Sequence, residues 1–227
     1  MSNELLFLLS MVLELSVVVA LFWLFGRMGM YLVITYAIIL CNIQVFKNVD
    51  MFGMSVTLGN TLYASIFLAS DILAEYYGKS AARQGVFIGF AALLISTVYM
   101  WLSLQFTPND SDTGHGHLVA LFTLTPWIAL ASMIAYLSCQ LLDVFMYVTL
   151  KGWTAGKALW LRNNLSTLTS QALDTVVFTG IATYAGIFPA EIFWNLVLVS
   201  YAVKAFIALC DTPFLYLTKL RRAPDAG

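Results

Sequence analysis

Residues 63–83 read YASIFLASDILAEYYGKSAAR, and the fold follows from how this stretch is read. An apolar run carrying Asp71 and Glu75 ends at Tyr76-Tyr77-Gly78, passes through a short basic turn holding Lys79 and Arg83, and then resumes as apolar sequence. Extended back to residue 54, the run matches the roughly 20 apolar residues that carry an α-helix across a bilayer. Working outward, the same alternation of apolar runs and turn signals predicts seven spans, near 4–25, 29–47, 54–77, 84–106, 121–150, 164–188 and 191–218. Composition agrees: 61% of the 227 residues are hydrophobic, 10% are charged, and the mean hydropathy is +0.86. A soluble domain is about a quarter charged. The expected fold is therefore all-α, a polytopic membrane helix bundle forming a single domain over residues 1–227, with lipid as its solvent. The net charge of −1 and a longest basic run of Arg221-Arg222 exclude a nucleic-acid footprint. Cys41, Cys139 and Cys210 sit in apolar runs without pairing or metal spacing, so neither a disulfide framework nor a metal or other cofactor is expected. A homo-oligomer is compatible with the sequence.

Two turns give the bundle its course. The first span lacks the basic start and small-residue cleavage site of a secretion signal, so it reads as a retained helix. Gly26-Arg27-Met28-Gly29 is short enough to force a tight antiparallel hairpin between the first two spans. Lys79 and Arg83, then Lys151, Lys157 and Arg162, then Lys219, Arg221 and Arg222 fall at one side, which the positive-inside rule makes cytoplasmic. The loop 107–120, with Asp110, Asp112, His115 and His117, falls at the other; it reads as solvated, not as a metal site. The amino terminus is then outside and the carboxyl terminus inside. Lys47 disagrees, at the outer end of the second span. The loop 151–163, with Trp153 and Trp160, reads as an interfacial segment.

Glu14, Asp71, Asp143, Asp174, Lys204 and Asp211 fall within spans, and Glu75 near an end. A charge at the bilayer centre costs on the order of 3 kcal/mol, so such groups face protein or a wet cavity. Helical spacing supports this: Asn60, Phe67, Asp71 and Glu75 share one face, as do Tyr136, Gln140, Asp143 and Tyr147, and Asn164, Gln171, Asp174 and Phe178. Gln140 and Asp143, like Gln171 and Asp174, are three residues apart and project together, offering an amide beside a carboxylate. A guanine-like edge has adjacent N–H donors for the carboxylate and a carbonyl for the amide, and the aromatic residues supply stacking faces. The same glutamines also suit simple interhelical bonding. Lys204 has two candidate ion-pair partners, Asp174 and Asp211; Glu14 reads as a snorkelled or protonated bystander, and Pro213 as a break in the last span.

The stretch 63–83, RNNLSTLTSQALDT at 162–175, NIQVFK at 42–47, QLLDV at 140–144 and KAFIALCDTPFLY at 204–216 together resemble the queuosine precursor transporter family, also called the vitamin uptake transporter family. The resemblance implies a six-helix core over about 29–218, similar to the substrate-binding subunits of energy-coupling-factor transporters, with the helix 4–25 as an addition. It implies a cytoplasmic-membrane importer of 7-deazaguanines such as preQ0, preQ1 or queuine, not an enzyme. Asp71, Gln140, Asp143, Asn164, Gln171 and Asp174 are expected to line the site, with Asn42, Gln44 and Lys47 closing its outer end and Glu75, Lys204 and Asp211 serving coupling or ion pairing. The rival within transport is a binding subunit that needs a separate ATPase module. An intramembrane enzyme lacks support, since the chain has no His-Glu-x-x-His, no Gly-x-Ser-x-Gly and no histidine in a span.

Overall fold

A computed structural model describes residues 2–220 except residue 52 and residues 124–125. Helix α1, Asn3–Gln44, reverses direction at Gly26. Unbroken, it would set Glu14 and Tyr36 about 33 Å apart at 1.5 Å per residue, yet the Tyr36 hydroxyl donates to Glu14 Oε1 at 2.7 Å. Asn3 likewise donates through Nδ2 to the Asp50 carbonyl at 3.1 Å. The arms 3–25 and 27–44 are thus the expected antiparallel hairpin, and Glu14 has a partner within it.

Gly26 stands at φ 54°, ψ −128°, a region that side chains disfavour. Three residues on, a Cβ at Gly29 would overlap the Leu21 carbonyl oxygen. Gly26→Val is expected to destabilise the protein by about 2 kcal/mol through backbone strain, read as a lowered thermal midpoint in detergent; an unchanged midpoint would mean that the reversal does not depend on this residue.

The second span is shorter than expected. It ends at Gln44, and strands β1 (Asn48–Met51) and β2 (Met54–Thr57) follow, pairing Asn48 with Thr57 and Met51 with Met54. Lys47 therefore lies outside any helix, exposed in the turn before β1, and the third span starts at residue 60, not 54. Next come α2 (Asn60–Tyr76), α3 (Gly78–Ser103), α4 (His115–Phe122), α5 (Pro126–Trp153), α6 (Leu159–Tyr184) and α7 (Phe193–Leu217).

The loop expected over 107–120 holds α4, whose start is capped by Asp112. The His115 and Gly114 N–H groups donate to its Oδ1 at 2.8 and 2.6 Å and hold this exposed carboxyl below the usual carboxylate range. The interfacial segment expected at 151–163 is instead a tight turn over 154–158, because α5 runs through Trp153 and α6 starts five residues earlier than expected. Residue 213 is proline, yet α7 continues through it to Leu217.

Among the described residues, the segments Asn3–Gln44, Gly78–Ser103, Ala129–Trp153 and Ala190–Leu220 are long and apolar enough to cross a membrane on composition alone. Helices α2 and α6 are not among them, for a physical reason. Residues 61–74 of α2 are buried apart from the half-buried Tyr63, and α6 buries a polar stripe from Arg162 to Thr179. A helix enclosed by other helices needs no apolar surface for lipid. The surrounding helices supply that surface, exposing residues such as Leu13, Tyr99, Trp101, Trp194 and Leu198.

The two ends of the bundle differ. Arg27, Lys79, Arg83, Lys151, Lys157, Arg162 and Lys219 gather at the end where α1 reverses, here the basic end. The β-hairpin and the acidic residues Asp50, Asp110, Asp112 and Glu191 mark the other, the hairpin end.

Candidate functional site

The buried polar residues form a ladder between these ends, on α2, α5, α6 and α7. Its top rung lines a cavity of about 150 Å³ at the hairpin end, a size that holds one flat aromatic molecule. Asn42, Asn60, Asp174 and Lys204 supply its polar wall, and Tyr63, Tyr136 and Phe178 its aromatic one. Lys204 Nζ meets Asp174 Oδ2 at 2.5 Å, with the two side chains only 13% and 7% exposed. The Tyr63 hydroxyl donates to Asp174 Oδ1 at 2.7 Å, and the ammonium sits 5.2 Å from the centre of the Tyr63 ring. The ion pair is thus with Asp174, not Asp211. It leaves the cavity with an acid and a base side by side and no net charge. A second, mostly apolar cavity of about 180 Å³ adjoins this one through Asn42, Leu93 and Ser132, and Leu121 and Phe122 of α4 line it.

Below the cavity, Gln140 and Gln171 are fully buried. The next rung is Asp143, which accepts hydrogen bonds from the Ser170 hydroxyl at 3.0 Å and the Ser70 hydroxyl at 3.4 Å, with Asp71 beside it. Deeper still, Asn163 donates through Nδ2 to Asp211 Oδ1 at 2.8 Å, and Asn164 donates to Thr212 Oγ1 at 2.8 Å. At the basic end Glu75 closes the ladder. Arg162 meets its Oε1 at 2.6 Å, Lys151 its Oε2 at 3.3 Å, and the Tyr147 hydroxyl donates to Oε2 at 3.2 Å. Arg162 also donates to the Lys157 carbonyl at 2.8 Å and lies over the Tyr147 ring.

Three expected residues, Asn42, Asp174 and Lys204, therefore meet at the cavity. Gln140, Gln171, Asp71, Asp143, Asp211 and Glu75 follow beneath it, while Asn164 is occupied with α7. Gln44, the last residue of α1, and Lys47, beyond it, are exposed and do not line the cavity, although Val45 between them does. The residues not anticipated are Tyr63, Cys139, Ser70, Ser170 and Arg162. Placing the start of α6 at Leu159 would have turned Arg162 from a loop residue into a buried one. The hydroxyl residues give little signal, since serine in a helix usually bonds its own backbone, as Ser170 also does to the Ser166 carbonyl at 2.8 Å.

A bundle that exposes apolar residues around a buried polar ladder defines a multi-pass membrane protein with a polar interior. Residues 57–218 match the model of a family described as "Putative vitamin uptake transporter". The chain is 39% identical over 196 residues to a "Probable queuosine precursor transporter" of Bacillus subtilis (strain 168), covering 86% of this chain and 85% of the relative. It is 34% identical over 193 residues to the "Queuosine precursor transporter" of Escherichia coli (strain K12), covering 84% and 81%. No solved structure matches. The chain belongs to the vitamin uptake transporter family, a family of transporters and not of enzymes.

Proposed function

We propose that this protein imports queuosine precursors of the 7-deazaguanine class by alternating access. The observation that carries the reading is the cavity in which the Asp174–Lys204 pair stands against Tyr63, Tyr136 and Phe178. A deazaguanine offers N–H donors to a carboxylate, a carbonyl to an ammonium or amide, and a flat ring to the aromatic residues. The adjoining apolar cavity leaves space for the substituent that distinguishes preQ0, preQ1 and queuine. The names of the Bacillus and Escherichia relatives support the same substrate class.

In this reading Asp71, Gln140, Asp143, Asn164, Gln171 and Asp174 serve the transport path, and Asn42, Gln44 and Lys47 its mouth. The core, about residues 29–218, is in this reading a six-helix bundle of the energy-coupling-factor type, with the helix 4–25 as an addition. The basic end faces the cytoplasm by the positive-inside rule, placing the carboxyl terminus inside. Glu75, Lys204 and Asp211 join the buried carboxyls in coupling import to protons, since chains of buried carboxyls are the usual equipment of membrane proton relays.

The test is uptake of radiolabelled preQ0, preQ1 and queuine into liposomes holding only the purified protein, with guanine as control. At least one precursor is expected to enter without ATP or any added ATPase, faster when the outer solution is acidified. If none enters, the functional reading is wrong; if entry appears only with a separate ATPase module, the chain is a binding subunit.

A further inference from the structure

The cavity and the orphaned side chains beneath it point to two stations on one path. Two contacts between α5 and α6 fix the geometry. Cys139 Sγ donates to Asp174 Oδ1 at 3.5 Å, and the Ser170 hydroxyl donates to Asp143 Oδ1 at 3.0 Å. Gln140 lies between Cys139 and Asp143 on one helix, and Gln171 between Ser170 and Asp174 on the other, so both glutamines belong to the level enclosed by those contacts. On α2, Tyr63 reaches Asp174 and Ser70 reaches Asp143, which places Phe67 at the same level. The Phe67 ring is fully buried and stands edge-on to Tyr63, with centroids 5.5 Å apart.

The two glutamines at this level are unpaired. Both polar atoms of Gln140 and both of Gln171 are buried without a hydrogen-bond partner among the described residues, and on the rung beneath them the buried Asp71 carboxyl lies against that of Asp143. Buried polar groups are almost always paired, and an apolar side chain of equal size would serve packing alone better. Each amide offers a donor pair and an acceptor, a carboxylate accepts two donors, and Phe67 supplies a flat face. That set recognises the edge of a planar heterocycle bearing adjacent N–H donors next to a carbonyl.

We propose that Gln140, Gln171, Asp71 and Phe67 form a second, occluded station for the nucleobase, separate from the cavity and closed off from it by the Tyr63–Asp174–Lys204 cluster. Rearrangement of that cluster admits the base from the cavity into the station before release at the basic end. The proposal rests on the deazaguanine reading and divides its site in two: the cavity captures, and the buried set holds the base during translocation.

The test compares wild type with Gln140→Leu, Gln171→Leu and, as a gentler volume-conserving change, Gln140→Met. Three quantities are read: thermal midpoint in detergent, equilibrium binding of radiolabelled preQ1, preQ0 and queuine, and uptake of the same compounds into liposomes. The leucine variants are expected to unfold at the wild-type temperature or a few degrees above it. They are expected to bind within about threefold of wild type and to lose at least a hundredfold in uptake. Wild-type uptake in a folded leucine or methionine variant overturns the second station. Loss of binding together with uptake in a folded variant also overturns it, since one site would then do both jobs. Wild-type protein that transports none of the three compounds overturns the functional reading and the station with it, a result distinct from either failure of the variants. If the leucine variants do not fold, Gln140→Met decides by the same criteria.

Discussion

Asp174→Asn is expected to reduce uptake by at least about a hundredfold while lowering stability. The change leaves the Lys204 ammonium, 13% exposed, without the carboxylate now 2.5 Å from it, and it weakens the acceptor that holds the Tyr63 hydroxyl. Removing one partner of a buried ion pair costs about 3–5 kcal/mol, because the surviving charge stays desolvated. The companion variant separates the two effects. Asp174→Asn combined with Lys204→Met removes both charges, and replacing a buried pair by neutral groups of similar volume is often neutral or stabilising. The double variant should therefore recover most of the thermal midpoint yet transport nothing. Recovery of uptake along with stability would show that the pair only holds helices together.

Arg162→Gln is the second large effect, and it acts on stability at the opposite end. The guanidinium is fully buried, pairs with Glu75 at 2.6 Å and ties the start of α6 to the Lys157 carbonyl. Its loss leaves Glu75 to Lys151 and Tyr147 alone, at a cost of about 3 kcal/mol, or a fall of roughly 10 °C in the thermal midpoint for a chain of this size. Glu75→Gln should lose a comparable amount. The double variant should be no worse than the poorer single one, since residues in one ionic network are not additive. A midpoint for Arg162→Gln within a degree or two of wild type would show that the network is not what closes the basic end. Because these residues close α2 against α5 and α6 there, the same variant should also raise passive leak of preQ1 from loaded liposomes.

The hairpin of α1 was legible because two glycines close together leave the chain few alternatives. The buried ladder was legible because carboxylates are rare enough in this chain for their helical spacing to stand out. Three features were harder, each for its own reason. The β-hairpin was hidden because β2 lay inside what read as one apolar run from residue 54 and β1 in the short stretch between two expected spans. The start of α6 was misplaced because Trp160 and Arg162 look interfacial until the preceding turn is known to be complete by residue 158. The choice between Asp174 and Asp211 as the partner of Lys204 depends on how α6 packs against α7. Lys204 and Asp211 share a face of one helix, which made the local pairing look as good as the tertiary one.

The burial of α2 and α6 also bears on how the protein is made. With only 17 residues, α2 spans about 26 Å at 1.5 Å per residue, and α6 carries Arg162, Gln171 and Asp174 within its length. Neither would partition into lipid alone from the insertion machinery, where each charged residue at a helix centre costs about 3 kcal/mol. Both are joined by short turns to strongly apolar neighbours, α2 to α3 and α6 to α5. The order of synthesis then matters: α2 must wait for α3, which follows it, whereas α6 emerges beside an α5 already in place. Chains truncated after residue 77 and released from the ribosome should therefore leave α2 outside the bilayer, while chains truncated after residue 184 and released should hold α6 within it.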